Sequence, residues 1–262
     1  MSALSQQTAV LLNRAVERCT AGKDLAIAFS GGLDSGLVAA LAKRYASAVT
    51  LYTVGAENSP DVQAARAVAP LLGLELTVIP LVDADLVGLL QEEIRVTGTT
   101  NPLVLAFEIP LFCLLRDSRQ TDVVGGQGAD EIFAGYAKYQ GLSAVPLREA
   151  MAKDLQRLYA ETKPHEAKVA AHFNRTIAYP YLDRDMVAFI RNAPAEAVHP
   201  MDEDLPKKIL RDAAADLGYG FLAERPKKAA QYGSGAMDAL HRVCKARGTT
   251  YNELVAALAK RT

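Results

Sequence analysis

From the N-terminus, short apolar runs alternate with longer stretches of helical spacing. Residues 5–20 place Ala9, Leu11, Leu12, Ala15 and Val16 near one helical face, which predicts an N-terminal helix. Asp24–Phe29 (DLAIAF) is a short apolar run followed by Ser-Gly-Gly, the mark of a buried parallel strand. An Ala- and Leu-rich helix is predicted over Leu37–Tyr45, and a strand rich in β-branched and aromatic residues over Ala48–Val54. Ser59-Pro60-Asp61 predicts a helix start, with Ser as cap and Pro at the first helical position; Gly73 stops that helix after Leu72. Glu75–Leu81 predicts a third strand, with Asp83 capping the helix beyond it, and Thr121–Gly126 a fourth.

Strands alternating with helices predict an α/β fold whose parallel sheet is sandwiched by helices. From about Ala129 onward the strand signals stop. Helices are predicted over 146–160, 164–174, 183–193, 205–217 and 234–260, the last restarting after Gly248 at the capping box Thr250–Glu253. The expected organisation is one domain over 1–262, with an α/β part over 20–140 and a helical part over 141–262 packed directly on the sheet.

A chain of 262 residues, half of them hydrophobic, buries enough surface to fold without a disulfide or structural metal. With 29 Lys+Arg against 30 Asp+Glu it has no general pull toward nucleic acid, so a nucleic-acid partner is not expected. Cys19, Cys113 and Cys244 have no zinc or redox spacing and predict three reduced, structural thiols. No apolar run approaches the ~20 residues of a membrane span. The first ten residues lack the basic-then-apolar order of a secretory signal. A cytoplasmic protein with no membrane partner is expected.

The chemistry concentrates in Ser30-Gly31-Gly32-Leu33-Asp34-Ser35, between a predicted strand and a predicted helix. Small residues let backbone approach an anion, the helix start offers free N–H groups and a positive dipole, and Ser30 and Ser35 add hydroxyls. The string is shorter than the common phosphate loop and carries Asp34 where that loop has lysine. A carboxylate beside a polyphosphate makes sense when Mg2+ lies between them.

SGGLDS resembles the signature of ATP pyrophosphatases, and four further segments narrow the resemblance to the synthetase domain of the asparagine synthetase and β-lactam synthetase family. Thr53-Val54-Gly55 with Ser59-Pro60-Asp61 is similar to the family's second strand and the helix start beyond it. Gly125–Tyr136 (GGQGADEIFAGY) is similar to its G-E-G-A-D-E-x-F-G-G-Y block, and Tyr179–Asp183 (YPYLD) to V-P-F-L-D. Lys207–Arg211 (KKILR) and Arg225-Pro226-Lys227 are similar to K-x-x-L-R and R-P-K. Order and spacing agree from about residue 20 to 235.

The resemblance implies an adenine nucleotide alpha hydrolase-like fold, with ATP and Mg2+ as ligands. It implies that Asp34 and Asp130 hold Mg2+ and that Ala28, Val54 and Gly126 hold adenosine, largely through backbone. Ser30, Gly31, Gly32 and Ser35 would cradle phosphates, and Lys227 would neutralise their charge during reaction. Lys207 is either a second such lysine or part of a solvated helix face. Asp130, taken alone, reads first as a helix cap.

Three departures bear on function. Gln127 stands where asparagine-forming members carry a glutamate, and an amide orients a substrate but takes no proton. Aligned on Pro180, Thr176 and Ala178 replace an acid and an arginine, with Arg175 off register. The glutaminase half is not in this sequence, which begins Met1-Ser2 with no cysteine nucleophile. The expected activity is an AMP- and pyrophosphate-forming ligase that adenylates a small-molecule acceptor and passes it to a nitrogen nucleophile. The nitrogen would come from free ammonia, a separate glutaminase subunit or an amine on the substrate; a homo-oligomer is compatible with this. The alternatives are an ATP-binding module without turnover and sulfur transfer to RNA, which would predict a cysteine pair or basic extension that the sequence lacks.

Overall fold

The computed structural model describes residues 2–199, 205–224 and 233–261. Five parallel strands form the sheet: β1 (Asp24–Ala28), β2 (Ala48–Gly55), β3 (Glu75–Pro80), β4 (Asp122–Val124) and β5 (Thr176–Ala178), in the spatial order β3-β2-β1-β4-β5. Among the described residues the α-helices are α1 (Ala3–Thr20), α2 (Leu33–Ala42), α3 (Pro60–Leu72), α4 (Leu86–Thr97), α5 (Pro102–Asp117), α6 (Ala129–Ile132), α7 (Ala144–Arg157), α8 (Lys163–His172), α9 (Arg184–Asn192), α10 (Ala195–Val198), α11 (Lys208–Asp216), α12 (Gly220–Ala223), α13 (Ala236–Ala246) and α14 (Tyr251–Ala259). The predicted class, a parallel sheet sandwiched by helices, is the one observed.

Alternation along the strands sends side chains to two separate cores. Leu25, Ile27 and Phe29 pack against α1, α2, α3 and α11. Ala26, Tyr52 and Val54 pack against α4, α5, α13 and α14. The second half of the chain therefore covers both faces. The boundary at Leu72–Gly73 falls as predicted, with Gly73 in the left-handed region at φ 60°. The Thr250 capping box is formed, its hydroxyl accepting from the Glu253 N–H and the Glu253 carboxylate from the Thr250 N–H.

Three expectations need correction. Strand signals do not end at Ala129: β5 pairs with β4 in parallel, Val124 opposite Ala178. Three residues are too few to show a period. Residues 102–117, for which the pattern gave no element, form α5, which is apolar on nearly every side and has Pro110 inside it. A buried helix has no polar stripe, and an internal proline mimics a stop. Asp83 does not cap a helix; it lies in a short 3₁₀ turn (Asp83–Asp85) and pairs with Arg242 of α13 at 2.7 Å.

No single helix among the described residues is long and apolar enough to cross a membrane. All three cysteines are free, and burial pushes the Cys113 thiol up to about 12, as befits a structural thiol.

Candidate active site

The chain runs outward from β1 through β2 to β3, then returns to β4 and β5 on the other side. The loops after β1 and β4 therefore diverge and leave a crevice at the carboxyl ends of adjacent strands, where open α/β sheets take ligands.

The loop after β1 is Ser30-Gly31-Gly32. Gly31 has φ 69°, and a Cβ there would run into the Ala64 backbone of α3, so only glycine fits. Ser35 Oγ accepts from the Ser30 N–H at 3.2 Å and lies 3.2 Å from Ser30 Oγ. Gly32 caps α2 with no side chain, which leaves the first-turn N–H groups to a ligand or water. The loop after β4, Gly125–Gly128, abuts that same turn: a Cβ on Gly126 would lie 3.2 Å from the Ser35 nitrogen. Tyr181 donates to the Asp34 carbonyl at 3.0 Å and fixes the turn from beneath.

Asp34 from α2 and Asp130 from α6 converge on the Lys207 ammonium, which bonds Asp34 Oδ2 and lies 2.6 Å from Asp130 Oδ1. Lys207 is 3% exposed and sits just before α11 at φ 66°, a left-handed conformation costly for a residue other than glycine. Burial opposes its charge, but the two carboxylates outweigh burial and hold its pKa above the ordinary lysine range. A Cβ at Gly135 would overlap both Asp130 Oδ1 and Lys207 Cε, so this convergence needs glycine there. The alternative of a solvated face for Lys207 is thereby corrected. Two carboxylate oxygens aimed at one cation also fit a divalent ion completed by phosphate oxygens and water. Among the described residues no group of three or more metal-ligating side chains exists, so an all-protein cage is absent there.

A cavity of about 280 Å³ opens from this point. Ala28, Val54 and Gly126 line it, with Ser30, Asp34, Ser35, Gln127 and Asp130. Phe29, Tyr52, Leu111, Leu114 and Ile177 give it an apolar lining. The lining also holds carboxyl groups for which the sequence predicts no role: Glu108 on α5, Glu131 on α6 and Glu166 on α8. Glu166 accepts from the Tyr179 hydroxyl and from Gln127 Nε2 at 3.4 Å, and burial, only partly offset by Tyr179, raises its pKa to about 7. Tyr136 donates to Glu131 at 2.6 Å. Burial raises Glu108 to about 8, with Glu166 adding to the shift.

The family model for asparagine synthase matches residues 7–146 and 139–257. The chain belongs to the asparagine synthase family. It is 28% identical to a Methanocaldococcus jannaschii protein bearing the name asparagine synthetase (glutamine-hydrolyzing), over 91% of this chain and 51% of that one. It is 27% identical to carboxyethyl-arginine beta-lactam-synthase of Streptomyces clavuligerus, over 92% of this chain and 46% of that one. The chain thus spans about half the length of the curated relatives it matches.

Within this family frame, the YPYLD segment has a physical role at each step. Tyr179 holds Glu166, Tyr181 holds the Asp34 carbonyl, and Asp183 caps α9 by accepting from the Asp185 N–H at 3.0 Å. Thr176 and Ala178 are β5 residues: Thr176 donates to Asp122 at 3.0 Å, and the Ala178 carbonyl accepts from Gly125. Arg175 donates to the Ser118 carbonyl at 2.6 Å, away from the cavity. Lys227 lies outside the described residues. Glu108 had a sequence signal, as the one charge inside the apolar run LVLAFEIPLFCLL. Glu166, in a polar surface helix, had none.

Proposed function

We propose that this chain is an ATP-dependent ligase that forms AMP and pyrophosphate. The observation that carries the reading is the convergence of Asp34 and Asp130 on one cationic point beside the Gly-rich loop. These two carboxylates would hold Mg2+, which when bound supplies charge neutralisation for a departing pyrophosphate. The first-turn N–H groups of α2, with Ser30 and Ser35, hold phosphate oxygens, and Ala28, Val54 and Gly126 border the nucleoside. Lys207 and Lys227 bring positive charge to the phosphates.

The acceptor's carboxylate, or an amide-like oxygen, attacks the α-phosphorus of ATP. The bond from that phosphorus to the bridging oxygen breaks, and pyrophosphate takes the electron pair. A nitrogen nucleophile then attacks the adenylated carbon and AMP leaves. The nitrogen comes from free ammonia, from a separate glutaminase subunit or from an amine on the acceptor, and it must lose a proton. Gln127 cannot take that proton. Glu166, hydrogen-bonded to Gln127 and held by Tyr179, is the carboxylate beside it and serves as the base.

The test is pyrophosphate release with ATP and Mg2+ across a panel of carboxylic acids, with and without ammonium, for wild type and Gln127→Glu. A carboxylate at 127 would face Glu166, so Gln127→Glu lowers turnover of the true acceptor while permitting slow amidation of aspartate by ammonia. Wild-type turnover of aspartate and ammonia at or above that of Gln127→Glu would refute the role given to Gln127. A nucleotide-binding module without turnover, which the glutamine favours, would bind ATP and release no pyrophosphate with any acid.

A further inference from the structure

Every charged residue among the described lining of the cavity is acidic. Most of these acids have a local partner. Asp34 and Asp130 face Lys207, Glu131 accepts from Tyr136, and Glu166 accepts from Tyr179 and Gln127. Glu108 does not. Its residue is 2% exposed, it lines the cavity, and neither carboxyl oxygen has a hydrogen-bond partner among the described residues.

The nearest basic group does not satisfy it. His165 Nδ1 lies 3.7 Å from Glu108 Oε1, too far for a hydrogen bond. Burial and Lys168 depress the His165 pKa, which leaves the ring uncharged at neutral pH. Lys163, on the same turn of α8 as Glu166, sets its ammonium 5.0 Å from the centre of the Tyr159 ring. A buried carboxyl without a partner is costly wherever it stands, and α5 is otherwise apolar around it. An apolar side chain would pack there at less cost, so the carboxyl has its use when something enters the cavity.

We infer that Glu108, flanked by Glu166, is the seat for a cationic nitrogen group, an ammonium or a guanidinium, carried by the acceptor at the end remote from the carboxylate that is adenylated. The inference rests on the ligase reading for the word acceptor, but not for the seat. A donor-rich cation satisfies both Glu108 oxygens once the carboxyl gives up its proton, and its charge is complementary to the acids of the described lining. A neutral acceptor leaves Glu108 buried and unpaired, so the site discriminates against it.

The experiment uses four small acids in two isosteric pairs: γ-guanidinobutyrate against γ-ureidobutyrate, and δ-aminovalerate against δ-hydroxyvalerate. Binding to the full chain is measured by calorimetry near neutral pH, with Mg2+ and the non-cleavable analogue α,β-methylene-ATP. At least one cation should bind about 10-fold or more tightly than its neutral partner, the scale of a hydrogen bond to a charged group. Glu108→Gln, with its fold checked by circular dichroism, should erase that preference while binding of the ATP analogue persists. Equal affinities within both pairs, no measurable binding of either cation, or a preference that survives in Glu108→Gln would overturn the inference. A cation preference in a chain that neither binds the ATP analogue nor releases pyrophosphate would keep the seat and sink the ligase reading.

Discussion

Gly135 shows how tightly single residues constrain this site. Its missing Cβ is the space through which Lys207 reaches Asp34 and Asp130. Gly135→Ala should therefore cost about 1–3 kcal/mol of stability, the scale of overpacking, and lower pyrophosphate formation with it. Urea denaturation and a pyrophosphate assay on the same preparation check both. Glu108 and Glu166 give a pH dependence. Both carboxyls keep a proton in the folded chain up to about 8 and about 7, against 4.5 for an ordinary glutamate. The unfolded chain has already lost that proton, so their stabilising contribution is complete below about pH 4.5 and is lost as pH rises through their folded values. Buried Glu93 has the same sign, whereas Asp83, whose pKa Arg242 lowers, titrates below this window. The melting temperature should fall by a few degrees from about pH 5 to about pH 8.5, and Glu108→Gln should flatten that fall and melt higher at the alkaline end. A wild-type profile flat over this range would contradict the raised values. Of these residues, the sequence made Asp34, Asp130 and the glycine loop legible, because their chemistry is local and contiguous. Glu166 was not legible, because its role depends on burial by α8 and on Tyr179, 13 residues away in sequence.

At the scale of elements, local signals predicted what local signals control. The start of α3 follows from Pro60 at its first position, although the Ser59 side chain before it makes no capping hydrogen bond, and the stop of α3 and the restart at α14 follow from Gly73 and the Thr250 cap. Thr250→Ala should remove the α14 cap and cost about 1 kcal/mol, with no change in pyrophosphate formation. Thermal melts with a parallel assay check it, and lost activity at full stability would mean that α14 reaches the site in a way the fold does not show. What escaped were β5 and α5, whose identities are tertiary. β5 is a strand because β4 offers it an edge, and its Ala178 carbonyl receives the Gly125 N–H that begins the site loop. α5 is a helix buried in the core that it shares with α4, α13 and α14, and it brings Glu108 to the cavity. The elements hardest to read from periodicity are those that bring Glu108 and Ile177 to the cavity.

At the scale of the molecule, the two cores fix the sheet, and the strand order fixes the crevice between the loops after β1 and β4. The second half of the chain reaches this crevice through Lys207, Tyr179, Tyr181 and Glu166, so the cavity draws on both halves of the sequence. The central claim is that Asp34 and Asp130 serve cleavage of ATP between its α- and β-phosphates. The most direct test incubates the chain with α-labelled ATP, Mg2+ and an acceptor panel, and measures labelled AMP and pyrophosphate for wild type, Asp34→Asn and Asp130→Asn. The account predicts equimolar AMP and pyrophosphate from wild type and at least about 10²-fold loss in each variant, the scale of deleting a preorganised electrostatic group. Labelled ADP in place of AMP, or near-normal turnover by Asp34→Asn, would contradict it.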